Sequence, residues 1–384
     1  MADEKMEPRF SIRYVNPAVV MNLRANYYID PDRDAYTLDS NQEYVEAMPE
    51  VDLVVGSQNR AALPLEVLDA LGIRCPDEAT QPGSPLLTKF AEHTRAFIKI
   101  EDGCNQMCSY CKIPFYRGRA RSRTSEEVLR EIQMLVQQGY REMVLCGIQL
   151  GAFGRDTGES LSELLHRIDC LEGLGRFRLS SIEPDDVSDE LADTLLDLNR
   201  LAPHLHLPLQ SGDDGILKRM RRRYSIEDYR RLVIRLRRRN PHFAFSTDLM
   251  VGFPGETDEA FENSIRAVQE FEFCRVHIFR FSARTGTAAA RLPNKVPQGM
   301  INRRREIIGH LAEEVVNRVR QAQINRHLIV LLEEPGSTHD TAVGFSENYL
   351  RVQASGVSHN QLGQLVPVVI ESMDQENLLG KATG

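Results

Sequence analysis

The chain has 384 residues, of which 42% are hydrophobic and 27% charged, and its formal net charge is −8. This length predicts two or three domains, and the composition is ordinary for a protein that buries sizeable cores. No apolar run approaches the ~18–20 residues of a helical membrane span. The charged opening MADEKMEPRF lacks the apolar centre of a signal peptide. The sequence therefore excludes a helical membrane protein and predicts a cytoplasmic location without a membrane partner.

The first 90 residues give the weakest pattern. One αβ unit is legible, with a strand over residues 51–56 and a helix through Leu63, Val67 and Leu71. No persuasive pattern precedes it. We predict a remnant αβ segment, an incomplete N-terminal domain, over residues 1–90.

Residues 95–282 alternate short apolar runs with amphipathic segments, the βαβα pattern of a parallel sheet. Capping residues mark three helix starts: Thr124, which forms a capping box with Glu127, Ser225 and Thr257. Six β/α units are too few to close an eight-stranded barrel, so the predicted fold class is α/β with an open, partial (β/α)6 barrel over residues 91–296. The predicted strands span residues 95–100, 142–147, 177–182, 204–209, 243–253 and 275–281.

The remainder of the chain changes character after Pro293 and Pro297. A charged helical stretch over residues 300–323 lies within a linking segment that we assign to residues 297–324. Three β-branched runs then follow, separated by turns rich in Gly, Ser, Asn and Asp. They predict a small β-barrel over residues 325–384.

Three of the seven cysteines stand in eight residues, Cys104-Asn-Gln-Met-Cys108-Ser-Tyr-Cys111, directly after the first predicted strand. Thiolates are soft ligands that suit iron–sulfur clusters or zinc. A structural zinc site needs four closed ligands, and a disulfide framework needs an oxidising compartment. We therefore favour a cluster in which three thiolates leave one iron open. The other cysteines are isolated, and His93 is the nearest further ligand candidate: Cys75 cannot hold a cluster alone, and Cys146, Cys170 and Cys274 are expected to be packed as small apolar side chains.

Dense basic clusters interrupt an otherwise acidic chain. We predict that Arg117, Arg119, Arg121 and Arg123, just after the cysteine motif, contact RNA phosphates. A solvated helix face is the usual alternative for such clusters. It applies equally to residues 218–224, 235–239 and 303–305.

The cysteine motif, with Tyr110 before its third cysteine, resembles the signature of the radical S-adenosylmethionine (radical SAM) superfamily. Residues 103–123, 206–212 (HLPLQSG) and 247–257 (TDLMVGFPGET) resemble the methylthiotransferases of that superfamily. The tail, clearest at residues 344–352 (GFSENYLRV), resembles their RNA-binding TRAM barrel. Residues 147–156 (GIQLGAFGRD) and 178–184 (RLSSIEP) resemble the branch that acts on N6-threonylcarbamoyladenosine (t6A) at position 37 of tRNA.

This resemblance implies the chemistry and the partners. Cys104, Cys108 and Cys111 would hold one 4Fe-4S cluster, whose open iron binds SAM, and an electron donor would reduce it. A 5′-deoxyadenosyl radical would then act at C2 of adenosine 37, in the anticodon loop of ANN-decoding tRNAs, where sulfur and a methyl group are added. Three alternatives stay open: a ribosomal-protein aspartate as substrate, isopentenyladenosine in tRNA, or a catalytically impaired RNA-binding relative.

The resemblance also places SAM at the strand ends. Glu183 and Gln210 would hydrogen-bond its ribose or amino group, although they also suit the role of satisfying strand-end backbone. The turn from Gly252 to Gly255 would let backbone approach the adenine, and is equally a good strand-to-helix turn. The predicted cofactor-binding residues are Gln149, Glu183, Gln210, Ser211, Gly252, Phe253 and Pro254.

One departure concerns a second, auxiliary cluster, which the family holds with three cysteines of its N-terminal domain. Residues 1–74 contain no cysteine. Either the front of that domain is truncated or this lineage has lost the second cluster. Because the family assigns sulfur delivery to that cluster, we expect SAM cleavage but poor methylthiolation.

Overall fold

The computed structural model describes residues 19–21, 53–55 and 94–383. The chain divides into two units, one of residues 1–86 with 112–119 and one of residues 87–111 with 120–384. In the first unit, strands β1 (Val19–Met21) and β2 (Leu53–Val55) pair antiparallel, and Ile113–Arg117 forms a short helix, α1. Strand β2 falls within the strand predicted at residues 51–56. The helix predicted through Leu63 to Leu71, together with Cys75 and His93, lies outside the described residues.

The second unit is built on six parallel strands that follow chain order, as predicted. Strands β3, β6 and β7 form one ladder and strands β8, β9 and β10 another. The ladders join where the Ile182 amide donates to the His206 carbonyl at 3.1 Å. The result is the open, partial barrel of the predicted fold class. Its strands are β3 (Arg95–Lys99), β6 (Glu142–Cys146), β7 (Arg176–Leu179), β8 (His204–His206), β9 (Ala244–Val251) and β10 (Arg275–Arg280), with a short antiparallel pair of β4 (Glu101–Asp102) and β5 (Arg121–Ser122) beside the first of them.

Amphipathic helices cover the outer face of this sheet. The caps predicted at Thr124, Ser225 and Thr257 are all present, and each side chain accepts a backbone N–H of the first helical turn. Their apolar faces join the sheet in one continuous core. The helices are α2 (Ser125–Gln137), α3 (Leu161–Asp169), α4 (Asp189–Asp197), α5 (Asp214–Met220), α6 (Ile226–Arg239) and α7 (Asp258–Phe271).

A long helix, α8 (Gln298–Gln321), leads into a closed five-stranded barrel, which confirms the predicted β-barrel tail. Gly344 is required there because a Cβ at this position would lie 1.7 Å from the Leu331 carbonyl oxygen. Within the described ranges, no helix combines the length and apolarity that crossing a membrane requires. The barrel strands, in spatial order, are β11 (His327–Pro335), β12 (Thr341–Ser346), β13 (Arg351–Ser355), β15 (Leu378–Ala382) and β14 (Leu365–Met373).

The small barrel docks on the amino ends of the core strands through a buried charge cluster. Glu142, which is fully buried, pairs with Arg176 and Arg178. These arginines also donate to barrel carbonyls, Arg176 to Ile329 at 2.7 Å and Arg178 to Glu347 at 2.8 Å. Barrel and core thus meet at one end of the sheet, and the carboxyl ends of the strands stay available for chemistry.

Candidate functional site

The cysteine motif forms a loop at the carboxyl end of β3, and segments that follow three other strands anchor it. Ser109 donates its amide to the Met220 carbonyl at 3.0 Å and accepts from the Ala289 amide at 2.7 Å. The Asn105 amide donates to Gln149 Oε1 at 2.8 Å. Segments that follow β6, β8 and β10 therefore all hydrogen-bond to the cysteine loop. That loop carries three half-buried thiols, those of Cys104, Cys108 and Cys111.

Hydrogen-bond donors already point at two of these sulfurs. The Gln106 amide donates to Cys104 Sγ at 3.3 Å, and Arg222 Nη1 donates to Cys108 Sγ at 3.4 Å. Such donors favour the thiolate form. Burial raises the pKa of Cys104 to about 12, so its thiol keeps the proton unless a metal replaces it.

The donor set, three thiols on one loop, suits an iron–sulfur cluster. Within residues 94–383, no three side chains of the His, Cys, Asp and Glu types are arranged to hold one metal ion. A cluster binds each thiolate to a different iron, so its sulfurs need not converge on one point. Among the remaining described cysteines, Cys274 is buried and Cys146 half-buried. Cys170 is exposed, and its predicted packing is wrong because it caps the carboxyl end of α3.

Arg222 is the residue of this site that sequence reasoning missed. Its side chain is only 4% exposed, and its Nη2 lies 2.9 Å from Glu183 Oε2. Its Nε donates to the Tyr224 hydroxyl at 3.2 Å, which in turn donates to the Pro208 carbonyl at 2.8 Å. Burial raises the pKa of Glu183, and Arg222 partly opposes the shift. The ion pair thus joins the ends of β7 and β8 to the cysteine loop.

Gln149 positions the cysteine loop. Its side chain is buried, and Nε2 donates to Asp186 Oδ2 at 3.1 Å while Oε1 accepts from Asn105. Its backbone amide donates to Glu101 Oε2 at 2.9 Å. Burial raises the pKa of Glu101 to about 7. The predicted contact of Gln149 with SAM stays a prediction.

Gln210 and Ser211 lie at the carboxyl end of the central strands, as the pattern indicated. Gln210 has a φ of 61°, in the left-handed region that residues other than glycine rarely adopt. Its backbone is held there by hydrogen bonds to Asp248 and Met250. Strained backbone of this kind clusters at functional sites. Ser211 is fully buried, with Oγ accepting from the Asp213 amide at 3.3 Å.

The Gly252 turn has a structural cause of its own. Gly252 has a φ of +80°, and a Cβ there would lie 2.4 Å from Ile301 of α8. Phe253 is fully buried and meets the Tyr110 ring edge-on at 6.3 Å, and Pro254 is buried beside it. These contacts support the interpretation as a strand-to-helix turn, while the approach to adenine stays a prediction.

The predicted RNA-contacting arginines do not share one environment. Arg119 and Arg121 are exposed, and Arg117 is half-buried. Arg123 differs, because its Nη1 pairs with Glu131 and also donates to the Lys99 carbonyl at 2.9 Å. With 14% of its side chain exposed, Arg123 ties β5 to α2, and its predicted phosphate contact stays a prediction.

Comparison with known proteins identifies the family. The model of the radical SAM superfamily matches residues 98–268. The threonylcarbamoyladenosine tRNA methylthiotransferase MtaB of Thermotoga maritima is 38% identical over 86% of this chain and 76% of its own. The chain belongs to the radical SAM methylthiotransferases. MtaB of Bacillus subtilis is 35% identical over 85% of this chain and 75% of its own. The tRNA-2-methylthio-N(6)-dimethylallyladenosine synthase of Caldicellulosiruptor saccharolyticus is 35% identical over 77% of this chain and 64% of its own.

Among solved structures, coproporphyrinogen III oxidase (HemN) from Escherichia coli aligns with a TM-score of 0.43. It is 13% identical and covers 71% of this chain and 69% of its own. Membership of the radical SAM methylthiotransferases makes the chain an enzyme of that class. It also implies SAM and a 4Fe-4S cluster as cofactors.

Proposed function

We propose that this methylthiotransferase acts on t6A at position 37, in the anticodon loop of ANN-decoding tRNAs. Three relatives, those of T. maritima, Chlamydia pneumoniae and B. subtilis, are named as threonylcarbamoyladenosine tRNA methylthiotransferases. The observation that carries the proposal is the contact between the first of the two segments that resemble this branch, residues 147–156, and the turn that follows the second segment. Arg155 of the first donates to Asp186, just after the second, at 2.7 Å, and Gln149 donates to the same carboxylate. Both segments adjoin the cysteine loop.

The residues of this chain would hold the cofactors and exclude water from them. Cys104, Cys108 and Cys111 would ligate the cluster, which with SAM supplies the radical chemistry when bound. Glu183 and the Gln210 amide stand at strand ends beside the loop and would orient SAM. The partly buried Tyr110 ring, edge-on to the fully buried Phe253, would shield that edge from solvent.

We expect this chain to bind one cluster. The family's second cluster requires three further thiols in the N-terminal domain, and residues 1–74 contain no cysteine. Sulfur delivery would then be limited, and an external electron donor is still required. Methylthiolation should accordingly be slow relative to SAM cleavage.

For RNA we propose contacts from the exposed Arg119 and Arg121, together with Arg117, and from the C-terminal barrel. Each neutralised phosphate releases condensed counterion, so binding should weaken with salt. Arg123 is left out because it is paired with Glu131.

The proposal is tested in a host that lacks its own t6A methylthiotransferase. The host is complemented with this chain or with its Cys104→Ala, Cys108→Ala, Cys111→Ala variant, and its nucleosides are measured by mass spectrometry. We expect a low yield of 2-methylthio product, confined to t6A and absent with the variant. Product on isopentenyladenosine, or on a ribosomal-protein aspartate detected by mass spectrometry of the host's ribosomal proteins, at levels above those in the variant-complemented host would contradict the proposed substrate. Abundant product on t6A would refute the limit on sulfur delivery.

A further inference from the structure

We propose that Arg222 is a positioning residue that raises the electron affinity of the cluster by holding a buried positive charge and an N–H donor against Cys108. This inference rests on the proposed binding of a cluster by the three cysteines. It assigns a function to one arginine of a basic tract, residues 218–224, that a solvated helix face would otherwise explain.

The geometry singles out Arg222 within that tract. Arg221 and Arg223 are exposed, whereas the Arg222 guanidinium is turned inward. Its Nη1 is shared between Cys108 Sγ at 3.4 Å and Glu183 Oε1 at 3.2 Å.

The surroundings fix this guanidinium in place. Its Nε donates to the Tyr224 hydroxyl, which the carbonyls of Pro208 and Leu209 hold at 2.8 and 3.1 Å. Its Cζ lies 5.5 Å from the centroid of the Tyr224 ring. A flexible surface arginine has no such support, so the charge facing Cys108 is preorganised.

The physical consequence is electrostatic. Reduction adds one electron, taken from the external electron donor, to a cluster already ligated by anionic sulfurs. A buried cation and an N–H donor on one of those sulfurs stabilise the reduced state more than the oxidised one. Burial enlarges the effect because the local dielectric is low. Glu183 pairs with the same guanidinium through Nη1 and Nη2, and its negative charge beside the cysteine loop therefore lowers the electron affinity.

Two substitutions thus have effects of opposite sign. Arg222→Met should weaken the reduced state relative to the oxidised state at least about tenfold. For a one-electron couple that is a midpoint potential about 59 mV more negative. Arg222→Lys keeps the positive charge but loses the planar guanidinium, so its midpoint potential should lie between those of wild type and Arg222→Met. Glu183→Gln removes the counter-charge and should shift the potential upward.

The experiment is a redox titration of the anaerobically reconstituted full chain, without SAM, followed by electron paramagnetic resonance. Iron and sulfide are measured on every sample. Arg231→Met is the matched control, because it removes the same charge from a side chain that is 70% exposed and paired with Asp228. It should keep the wild-type potential and iron content.

Unchanged potentials in Arg222→Met and Glu183→Gln, at full iron content, would overturn the inference, as would equal shifts in the Arg231→Met control. If Arg222→Met fails to hold a cluster, the midpoint potentials of Arg222→Lys and Glu183→Gln test the inference instead. Potentials that shift in the same direction in both variants, or in neither, would overturn the inference. A wild-type chain that binds no cluster would instead contradict the proposed function.

Discussion

Replacing Glu142 with glutamine should weaken the contact between the closed five-stranded barrel at the C-terminus and the open, partial barrel. Glu142 is fully buried and bonds to Arg178 Nε at 2.7 Å, with Arg176 on its other oxygen. Arg95 reaches the same carboxylate at 3.9 Å but also has Glu333 as its own partner at 2.7 Å. The substitution keeps the shape of the side chain and removes the one negative charge that Arg176 and Arg178 share.

The magnitude follows from burial. Arg176 and Arg178 are 5% and 2% exposed, so water cannot take over from the lost carboxylate. Removing one partner of a buried ion pair costs about 3–5 kcal/mol. Asp197→Asn removes an exposed partner of Arg239, both side chains being more than half exposed, and should cost about 0–1 kcal/mol. The contrast between these two variants measures the effect of burial.

The effect should also depend on pH. Burial alone would raise the pKa of Glu142, but Arg178 and Arg176 outweigh it and hold that pKa below its ordinary value. A carboxylate with a depressed folded-state pKa stabilises the protein above its unfolded pKa of about 4.3 and loses that contribution as the pH falls. The difference between wild type and Glu142→Gln should therefore be full at neutral pH and shrink in acid.

Urea unfolding followed by circular dichroism, at neutral pH and in acid, measures both quantities. A Glu142→Gln variant as stable as Asp197→Asn would refute this reasoning. So would a stability difference that grows as the pH falls.

Three further predictions concern other parts of the chain. Reconstituted protein should contain about four irons, and a chain with about eight would hold a second cluster. Arg121→Ala should flatten the salt dependence of tRNA binding by about one unit or slightly less, and the exposed control Arg130→Ala on α2 should leave it unchanged. Gly344→Ala should lower the thermal midpoint of the barrel because its Cβ meets the Leu331 carbonyl, whereas loss of the Thr124 cap should cost only about 0.5–2 kcal/mol in urea unfolding.

Local patterns predicted most of the architecture. The strands are short apolar runs between well-capped helices. The sequence pattern that predicts each of these elements spans only a few neighbouring residues. Thr124 and Ser225 illustrate this, because both caps stand where the sequence placed them. The cysteine loop was equally legible, because its spacing is local.

Long-range contacts account for what the sequence did not reveal. Arg222 and Arg304 each belong to an arginine tract, yet both side chains are buried, that of Arg304 against Glu256 at 2.7 Å. The tract gives no sign of which arginine turns inward, since that depends on a carboxylate placed by another strand or turn. Gly252 is similar, because its need for glycine comes partly from Ile301, 49 positions along the chain.

The most direct test of the account measures 5′-deoxyadenosine formed from SAM by the reduced, anaerobically reconstituted chain. Wild type should produce it, and the Cys104→Ala, Cys108→Ala, Cys111→Ala variant should not, although the variant remains folded by circular dichroism. Equal production by both proteins, or none by a wild-type chain that carries its cluster, would contradict the assignment of radical SAM chemistry to this loop.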